Sequence, residues 1–336
     1  MLRCYAIIRL AEASSVARDA RHVFDDSRSG ARSLAEIPTQ PPHSGIGSGM
    51  DAPQERDRPS ASSSRPRVSV IIPCFNRSAQ LREAVESVLA QTYQDFEILI
   101  IDDGSTDDTR VSLENRFRGN PKIRYFYKNH GGPGPARNLG LGHAVGEYVA
   151  FLDSDDLWLP EKLENQIRQL EEDPEAAMSF TDAFVRDASP GRKTRFRSHG
   201  FRGDTTVKAI VESNFPLCTP AVMVRRRIFD EIGTFDETLA CAQDWDLWIR
   251  VLTRHRAAYL ERPGLVIRTG DDSISRTRVL EKWRCWLRVW EKHKDLLLRS
   301  GCTPRSVRGK LAHAHKKIAQ TCLSSGRYAE ARSRRL

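Results

Sequence analysis

Long apolar runs are missing from this chain of 336 residues. The longest, such as 68–73 and 98–101, are strand-sized and fall far short of the roughly 20 residues that a membrane-spanning helix needs. An apolar patch at 4–8 is too short and too closely flanked by arginine to serve as a secretory leader. Cysteine is scarce: there are seven, at positions 4, 74, 218, 241, 285, 302 and 322, widely spaced and without a Cys-x-x-Cys pair. That argues against a zinc or disulfide framework and for a reduced cytosolic chain. Two nucleotide-binding signatures are also lacking. Pro133 and Pro135 break the glycine-rich run 131–134, so it is no Gly-x-Gly-x-x-Gly fingerprint, and no Walker Lys-Ser/Thr pair follows it.

What is present suffices for a proper core. The chain is 39% hydrophobic and 29% charged, ordinary for a soluble protein, and long enough for one large α/β domain with additions or for two domains. The net charge of +9 is unevenly spread. Residues 1–66 hold 9 Lys/Arg against 8 Asp/Glu, residues 67–275 hold 27 against 32, and residues 276–336 hold 17 against 4. The basic character therefore belongs to the C-terminal stretch. Such a stretch suits an anionic membrane surface, an anionic acceptor or nucleic acid, and equally a solvated helical face.

Residues 1–66 are rich in Ser, Arg, Pro and Gly and have no sustained apolar period. Such a segment cannot bury enough surface to order itself, so disorder is expected, with Met50 as an alternative start. Strands are predicted at 68–73, 96–101, 123–127 and 148–152, and helices at 79–89, 106–117, 136–144 and 161–171. Strand and helix alternating at this spacing mean βαβ units and a largely parallel sheet. Beyond 177 the alternation weakens. Strands are expected at 178–185 and 221–224, a polar loop or hairpin at 186–203, and helices at 227–233 and 245–254. Residues 276–336 read as helical apart from a break at 300–304, with Trp283, Trp286, Leu287 and Trp290 forming one packing stripe.

Unusual polar residues collect at four strand ends, which share one rim in an open α/β sheet. They are Pro73-Cys74-Phe75-Asn76-Arg77, Asp102-Asp103-Gly104-Ser105, the stretch 129–138, and Asp153-Ser154-Asp155-Asp156. Each by itself is explained by an Asx turn, a helix cap or a glycine turn. The last is the most informative, because an apolar run ends abruptly in carboxylates. Asp153 and Asp155 are spaced to reach one hard divalent cation that also holds phosphate oxygens.

Taken together, these pieces resemble the family 2 glycosyltransferases, which have the GT-A fold. The resemblance covers about residues 67–255 and rests on 70–76, 100–107, 134–138 and 151–156, in the family's order and spacing. It implies an α/β, Rossmann-like GT-A domain with a mostly parallel central sheet and flanking helices at 67–275, followed by a basic helical extension at 276–336. It also implies a nucleotide-diphosphate-sugar donor, with a UDP-sugar as the first expectation. By that analogy Pro73 and Asn76 line the nucleotide pocket, Asp102 or Asp103 bonds to the base, and Arg137 lies near the nucleotide and its phosphates. Asp153 approaches the ribose or a metal-bound water, Asp155 holds Mg2+ or Mn2+, and Asp156 is a further candidate. Asp244 falls where the family places the base for the acceptor hydroxyl, with Gln243 standing where a Glu is usual. Thr219 and Pro220 are expected to shape the acceptor pocket. Arg268 and Ser275 resemble the family's closing loop, although the His frequent there is absent between 256 and 292.

The resulting expectation is a metal-dependent, inverting hexosyltransferase of surface polysaccharide or glycoconjugate synthesis. Its acceptor is a saccharide, a lipid-linked saccharide or a protein side chain. Its place is the cytoplasm, with an anionic membrane face as an optional contact for the basic tail and no nucleic-acid partner. Two alternatives stay open. One is a weakly active or inactive glycosyltransferase-like binding protein, to which Gln243 points. The other is a nucleotidyltransferase, against which the missing glycine wrap after the first strand speaks.

Overall fold

The computed structural model describes residues 65–186, 193–196, 205–213, 217–269 and 278–328, which all fall in one compact unit, Ser64–Leu336. The expected disordered segment, apart from its last two residues, lies outside the described residues, as do Met50 and Ser275.

The first half alternates strand and helix as the spacing requires: β1 (Val68–Cys74), α1 (Ser78–Leu89), β2 (Phe96–Asp102), α2 (Thr109–Phe117), β3 (Ile123–Tyr127), α3 (Pro133–His143), β4 (Tyr148–Phe151). A two-residue strand, β5 (Leu157–Trp158), precedes α4 (Lys162–Glu172). Then come β6 (Ala176–Arg186), β7 (Lys193–Phe196), α5 (Val207–Ser213), a 3-10 turn at Thr219–Ala221, β8 (Val222–Arg225), α6 (Ile228–Ile232), α7 (Gln243–Leu252) and β9 (Arg256–Arg268). Two long helices close the chain, α8 (Val279–Arg299) and α9 (Pro304–Ser324).

Every residue of β1 and β2 is buried, as strands covered on both faces must be. Alternate side chains divide between two cores. Ile71, Leu99, Ile101, Val149 and Phe151 face one side, where α7, α8 and α9 supply Leu247, Trp248, Leu287, Trp290, Val307 and Ile318. Val70, Ile72, Ile98, Ile100 and Ala150 face the other, against Leu81, Ala84, Val85 and Val88 of α1 and Leu163, Ile167 and Leu170 of α4. Helix α3 lies so close to β1 that a Cβ on Gly140 would meet Ile71 Cγ2 at 2.6 Å. Only glycine fits there.

The strand order is β3-β2-β1-β4-β8-β6-β9-β5, with β7 paired to β6. Strands β3, β2, β1 and β4 run parallel, and β6 pairs parallel with β9. Strand β8 is antiparallel to both β4 and β6. The alternation expected from sequence holds for the first half, while the second half is mixed.

Several boundaries differ from the sequence expectation, each for a physical reason. Strand β9 was not anticipated, because Pro263 and Gly264 interrupt its pattern. The interruption is absorbed by register shifts on either side of Asp182, with Pro263 opposite Asp182, as a bulge permits. Helix α3 starts at Pro133 rather than 136. Prolines fit the first turn, whose N–H groups lack helical acceptors, so the expected stiff turn is the helix start itself. Helix α7 starts at Gln243 rather than 245, after Ala242 in a left-handed conformation (φ 59°). The predicted tryptophan stripe is a packing surface: Trp286 and Trp290 stack at 5.5 Å, and Trp245 packs on both, at 5.4 and 6.0 Å.

Candidate active site

The ends of β1 and β2 are tied together by their polar residues. Pro73 is buried within β1. Asn76, left-handed at φ 50°, accepts from Thr106 N at 2.7 Å and donates its own N–H to Ser105 Oγ at 2.9 Å. Asp102 accepts from Ser105 N at 2.7 Å and from the Tyr125 hydroxyl at 2.5 Å. Asp103 is buried and accepts from Lys128 Nζ at 2.6 Å, Gly131 N at 3.0 Å and Gly132 N at 2.7 Å. The glycine-rich loop is thus folded around the Asp103 carboxylate. Gly104 adopts φ +87°, and a Cβ there would meet His130 N at 2.8 Å. The two aspartates build this part of the rim through protein contacts of their own.

Helix α3 presents Arg137 to the end of β4. Its guanidinium is buried, donates from Nη2 to Asp153 Oδ1 at 2.6 Å and lies 5.6 Å from the centre of the Phe235 ring. Its Nε has no hydrogen-bond partner. The next residue, Asn138, exchanges two bonds of 2.9 Å with the Phe235 backbone, which holds that ring beneath Arg137. Phe235 and Asn138 are site-building residues to which sequence reasoning gave no role. Asn138 lies within the 134–138 stretch that carries the resemblance, whereas Phe235 leaves no signal in the sequence.

The Asp153–Asp156 stretch is a tight turn, closed by Asp156 N donating to Asp153 O at 3.0 Å. Asp155 pairs with Arg77, another residue without an assigned role. Asp156 is buried and accepts from Arg268 N at 2.9 Å. Burial, and then the charges of Asp153 and Asp155, push its carboxyl well above the usual range. Arg268, at the end of β9, also donates to Asp155 O and pairs with Glu83. It locks the turn from outside.

Asp244 stands in the first turn of α7. Its Oδ1 accepts from Trp245 N at 2.9 Å and its Oδ2 from Thr219 Oγ1 at 3.3 Å. Burial raises its carboxyl, Arg137 opposes that, and Asp153 adds to it. These influences place the candidate base within electrostatic reach of the Arg137–Asp153 pair. The half-buried Cys218 thiol, pushed up to about 12 by desolvation and then by Asp156, feels Asp153 and Asp244 as well. Gln243 is buried with its Nε2 unpartnered, packed against Gly134, where a Cβ would lie 3.6 Å from Gln243 Cγ. The structure therefore brings together Arg137, Asp153, Asp155, Asp156, Arg268, Thr219, Gln243 and Asp244, with Asn76, Asp102 and Asp103 on the adjoining loops.

Residues 69–233 match the sequence profile of Glycosyl transferase family 2. An uncharacterized glycosyltransferase of Rickettsia felis is 39% identical over 196 residues, 58% of this chain and 32% of that protein, so the chain spans about a third of that relative's length. A putative teichuronic acid biosynthesis glycosyltransferase of Bacillus subtilis is 31% identical over 236 residues, 69% of this chain and 89% of that protein. Among solved structures, S. aureus TarS 1–349 in complex with UDP-GlcNAc superposes with a TM-score of 0.57 at 21% identity, covering 76% of this chain and 71% of that one. The mannosyltransferase PcManGT of Pyrobaculum calidifontis, in complex with GDP-Man and Mn2+, gives 0.54 at 18% identity, covering 81% and 74%. These likenesses show the GT-A type fold, and the sequence matches show that the chain belongs to glycosyl transferase family 2.

Proposed function

We propose that the chain is a metal-dependent, inverting glycosyltransferase moving a sugar from a nucleotide-diphosphate sugar, a UDP-sugar in the first instance, to an acceptor hydroxyl. The observation that carries this is Asp244, a raised carboxyl held by Thr219 beside the Arg137–Asp153 pair. A base works best with its pKa moved toward the operating pH. Asp244 takes the acceptor hydroxyl's proton as that oxygen attacks the anomeric carbon. The bond to the nucleoside diphosphate breaks, and its electron pair leaves with the diphosphate. A single base on the acceptor side supports one displacement with inversion rather than a covalent intermediate. The buried, positively charged Arg137 is suited to the diphosphate oxygens.

Asp153 and Asp155 would hold Mg2+ or Mn2+, and the donor set fits such an ion. Both are hard carboxylates, about a third exposed at 33% and 30%. In the structure Asp153 is paired with Arg137 and Asp155 with Arg77, and a cation would take over the place of those two positive groups. No group of three or more His, Cys, Asp or Glu among the described residues is set to hold a metal. Such an ion would be attached through one or two carboxylates plus substrate phosphates. A bound ion would neutralise the charge gathering on the diphosphate. The Mn2+ and GDP-Man of PcManGT and the UDP-GlcNAc of TarS support the donor class.

The acceptor is a saccharide, a lipid-linked saccharide or a protein hydroxyl, and the name of the Bacillus subtilis relative supports polysaccharide synthesis. No described helix is long and apolar enough to cross a membrane. A cytoplasmic place beside an anionic membrane face is proposed from the basic helices α8 and α9. The deciding experiment assays Asp155→Ala and Asp244→Asn for sugar transfer and donor hydrolysis, after a screen of nucleotide sugars for thermal stabilisation with Mn2+. Wild-type rates in both variants would overturn the mechanism. Donor binding without turnover by the wild type would favour a binding protein, the alternative to which the unpartnered Gln243 amide points.

A further inference from the structure

Thr219 meets Asp244 through its hydroxyl, and the next two carbonyls of the same 3-10 turn are bound by side chains from distant parts of the chain. Pro220 O accepts from Trp158 Nε1 at 3.1 Å, and Ala221 O accepts from Gln166 Nε2 at 3.1 Å. Trp158, Gln166, Thr219, Pro220 and Ala221 are all buried. Removing either donor therefore leaves a buried carbonyl unsatisfied. The mechanism uses neither Trp158 nor Gln166.

Buried Lys162 touches both of these donors. Its Nζ donates to Gln166 Oε1 at 2.5 Å and lies 4.2 Å from the centre of the Trp158 ring. The four-residue spacing puts Lys162 and Gln166 on one face of α4. An ammonium donates and never accepts, so Gln166 turns its carbonyl to Lys162. Its amide nitrogen is left for Ala221 O and for Ser179 O, at 3.0 Å. The Trp158 backbone is fixed separately, by donation to Ser87 Oγ at 3.1 Å and by the pairing of β5 with β9. Trp158 also follows Asp156 by two residues, so the strand leaving the carboxylate turn braces the turn that carries Thr219.

We infer that Trp158 and Gln166, oriented by Lys162, are positioning residues for sugar transfer, bracing the Thr219–Ala221 turn so that the Thr219 hydroxyl meets Asp244. They act through the turn. When one brace is lost, the turn relaxes, Thr219 withdraws from Asp244 Oδ2, and the ionised carboxylate loses a donor. The charged groups that face Asp244, Arg137 on α3 and Asp153 after β4, belong to other elements, as does the Trp245 amide on α7. The change in Asp244 is therefore the one that loss of the Thr219 hydroxyl would cause. A misplacement of about 1 Å at a reacting centre is enough for roughly a hundred-fold loss of rate.

The effect on transfer rests on the reading of Asp244 as the base; the bracing of the turn does not. Trp158→Phe keeps a ring beside Lys162 and removes the N–H, and Gln166→Met, as a second variant, removes the other donor. Each is made in the full chain and followed by hydrogen exchange at the Ala221 and Val222 amides, which donate to Cys218 O and Thr219 O. Exchange there is expected to quicken. In sugar transfer kcat should fall by about ten-fold or more with donor KM unchanged, and the acid limb of kcat/KM should move to higher pH, as in Thr219→Val. Added to Thr219→Val, Trp158→Phe should move the limb no further. Ile71→Ala, which weakens the core away from the turn, should leave the limb in place. Wild-type exchange in both variants overturns the bracing. A limb that stays put in both while Thr219→Val shifts it, or that Ile71→Ala shifts as far, overturns the positioning role. A limb unmoved by Thr219→Val itself, or a chain that never transfers sugar, refutes the proposed activity instead, and the exchange rates still decide whether Trp158 and Gln166 brace the turn.

Discussion

Arg137 donates to Asp153 across 2.6 Å, joining the first turns of α3 to the end of β4. Both residues belong to short motifs that are unremarkable in isolation. On the proposed function their contact assembles the donor side of the site, because a buried guanidinium with one unpartnered nitrogen retains capacity for an anion. Arg137→Met is expected to weaken stabilisation by a nucleotide sugar and to lower kcat/KM by roughly 10²–10³-fold. Thermal shift with donor and Mn2+, beside steady-state kinetics, checks this; unaltered donor binding would remove Arg137 from the site.

Asp244→Asn should lower kcat by about 10²–10⁴-fold with donor binding unchanged. Because burial raises the Asp244 carboxyl, activity is expected to fall as pH drops through that raised value. Thr219→Val removes a hydrogen bond that favours the ionised form, so the acid limb of the kcat/KM profile should move to higher pH. A limb that stays in place, or moves down, contradicts Asp244 as the titrating base.

Asp156 has its carboxyl raised in the folded chain. The folded state therefore keeps this proton to higher pH than the unfolded state does. The associated stability is complete below the unfolded value and is lost as pH rises through the raised one. In metal-free buffer, Asp156→Asn should flatten that slope and raise stability near neutrality by about 1 kcal/mol, a Tm increase of roughly 2–4 °C. Its oxygen can still accept from Arg268 N. An unchanged Tm and slope would show that the three carboxylates do not strain the turn.

Gly140→Ala should destabilise by about 1–3 kcal/mol, since its Cβ runs into Ile71. Ile71→Ala alone should cost about 2–5 kcal/mol. In the double variant the costs should sum to less than the two separately, as urea unfolding would reveal. Strict additivity would mean that α3 and β1 are not in the close contact described.

Exposed Lys294, Arg299, Arg305, Arg308 and Lys316 lie on α8 and α9, and each basic residue near an anionic surface contributes about 1 kcal/mol. Binding to phosphatidylserine vesicles is expected to weaken with salt and with Arg305→Glu and Arg308→Glu together. Binding that ignores salt, or none, would refute the membrane contact.

The strand–helix alternation to residue 172 was legible because fully buried strands read as unbroken apolar runs and α1 and α4 carry apolar residues at helical spacing. Strand β9 was not legible. Its Pro263-Gly264 signal is local, whereas the bulge that accommodates it depends on Asp182, far away in sequence. The start of α7 was missed by two residues because a left-handed Ala242 leaves no mark in composition. Asp155 was singled out from its spacing, but its Arg77 partner depends on how the β1 loop crosses the end of β4.

The sequence by itself determined the order of the βαβ units, the family, and the identity of the carboxylates at the strand ends. These follow from local periodicity and contiguous motifs. Only the tertiary structure decided which of them meet. Arg137 faces Asp153, Thr219 holds Asp244, and Arg77 reaches Asp155 from the loop after β1. Such pairings depend on sheet order and helix packing, and a burial that shifts a carboxyl or a thiol exists only once distant segments have excluded water from it.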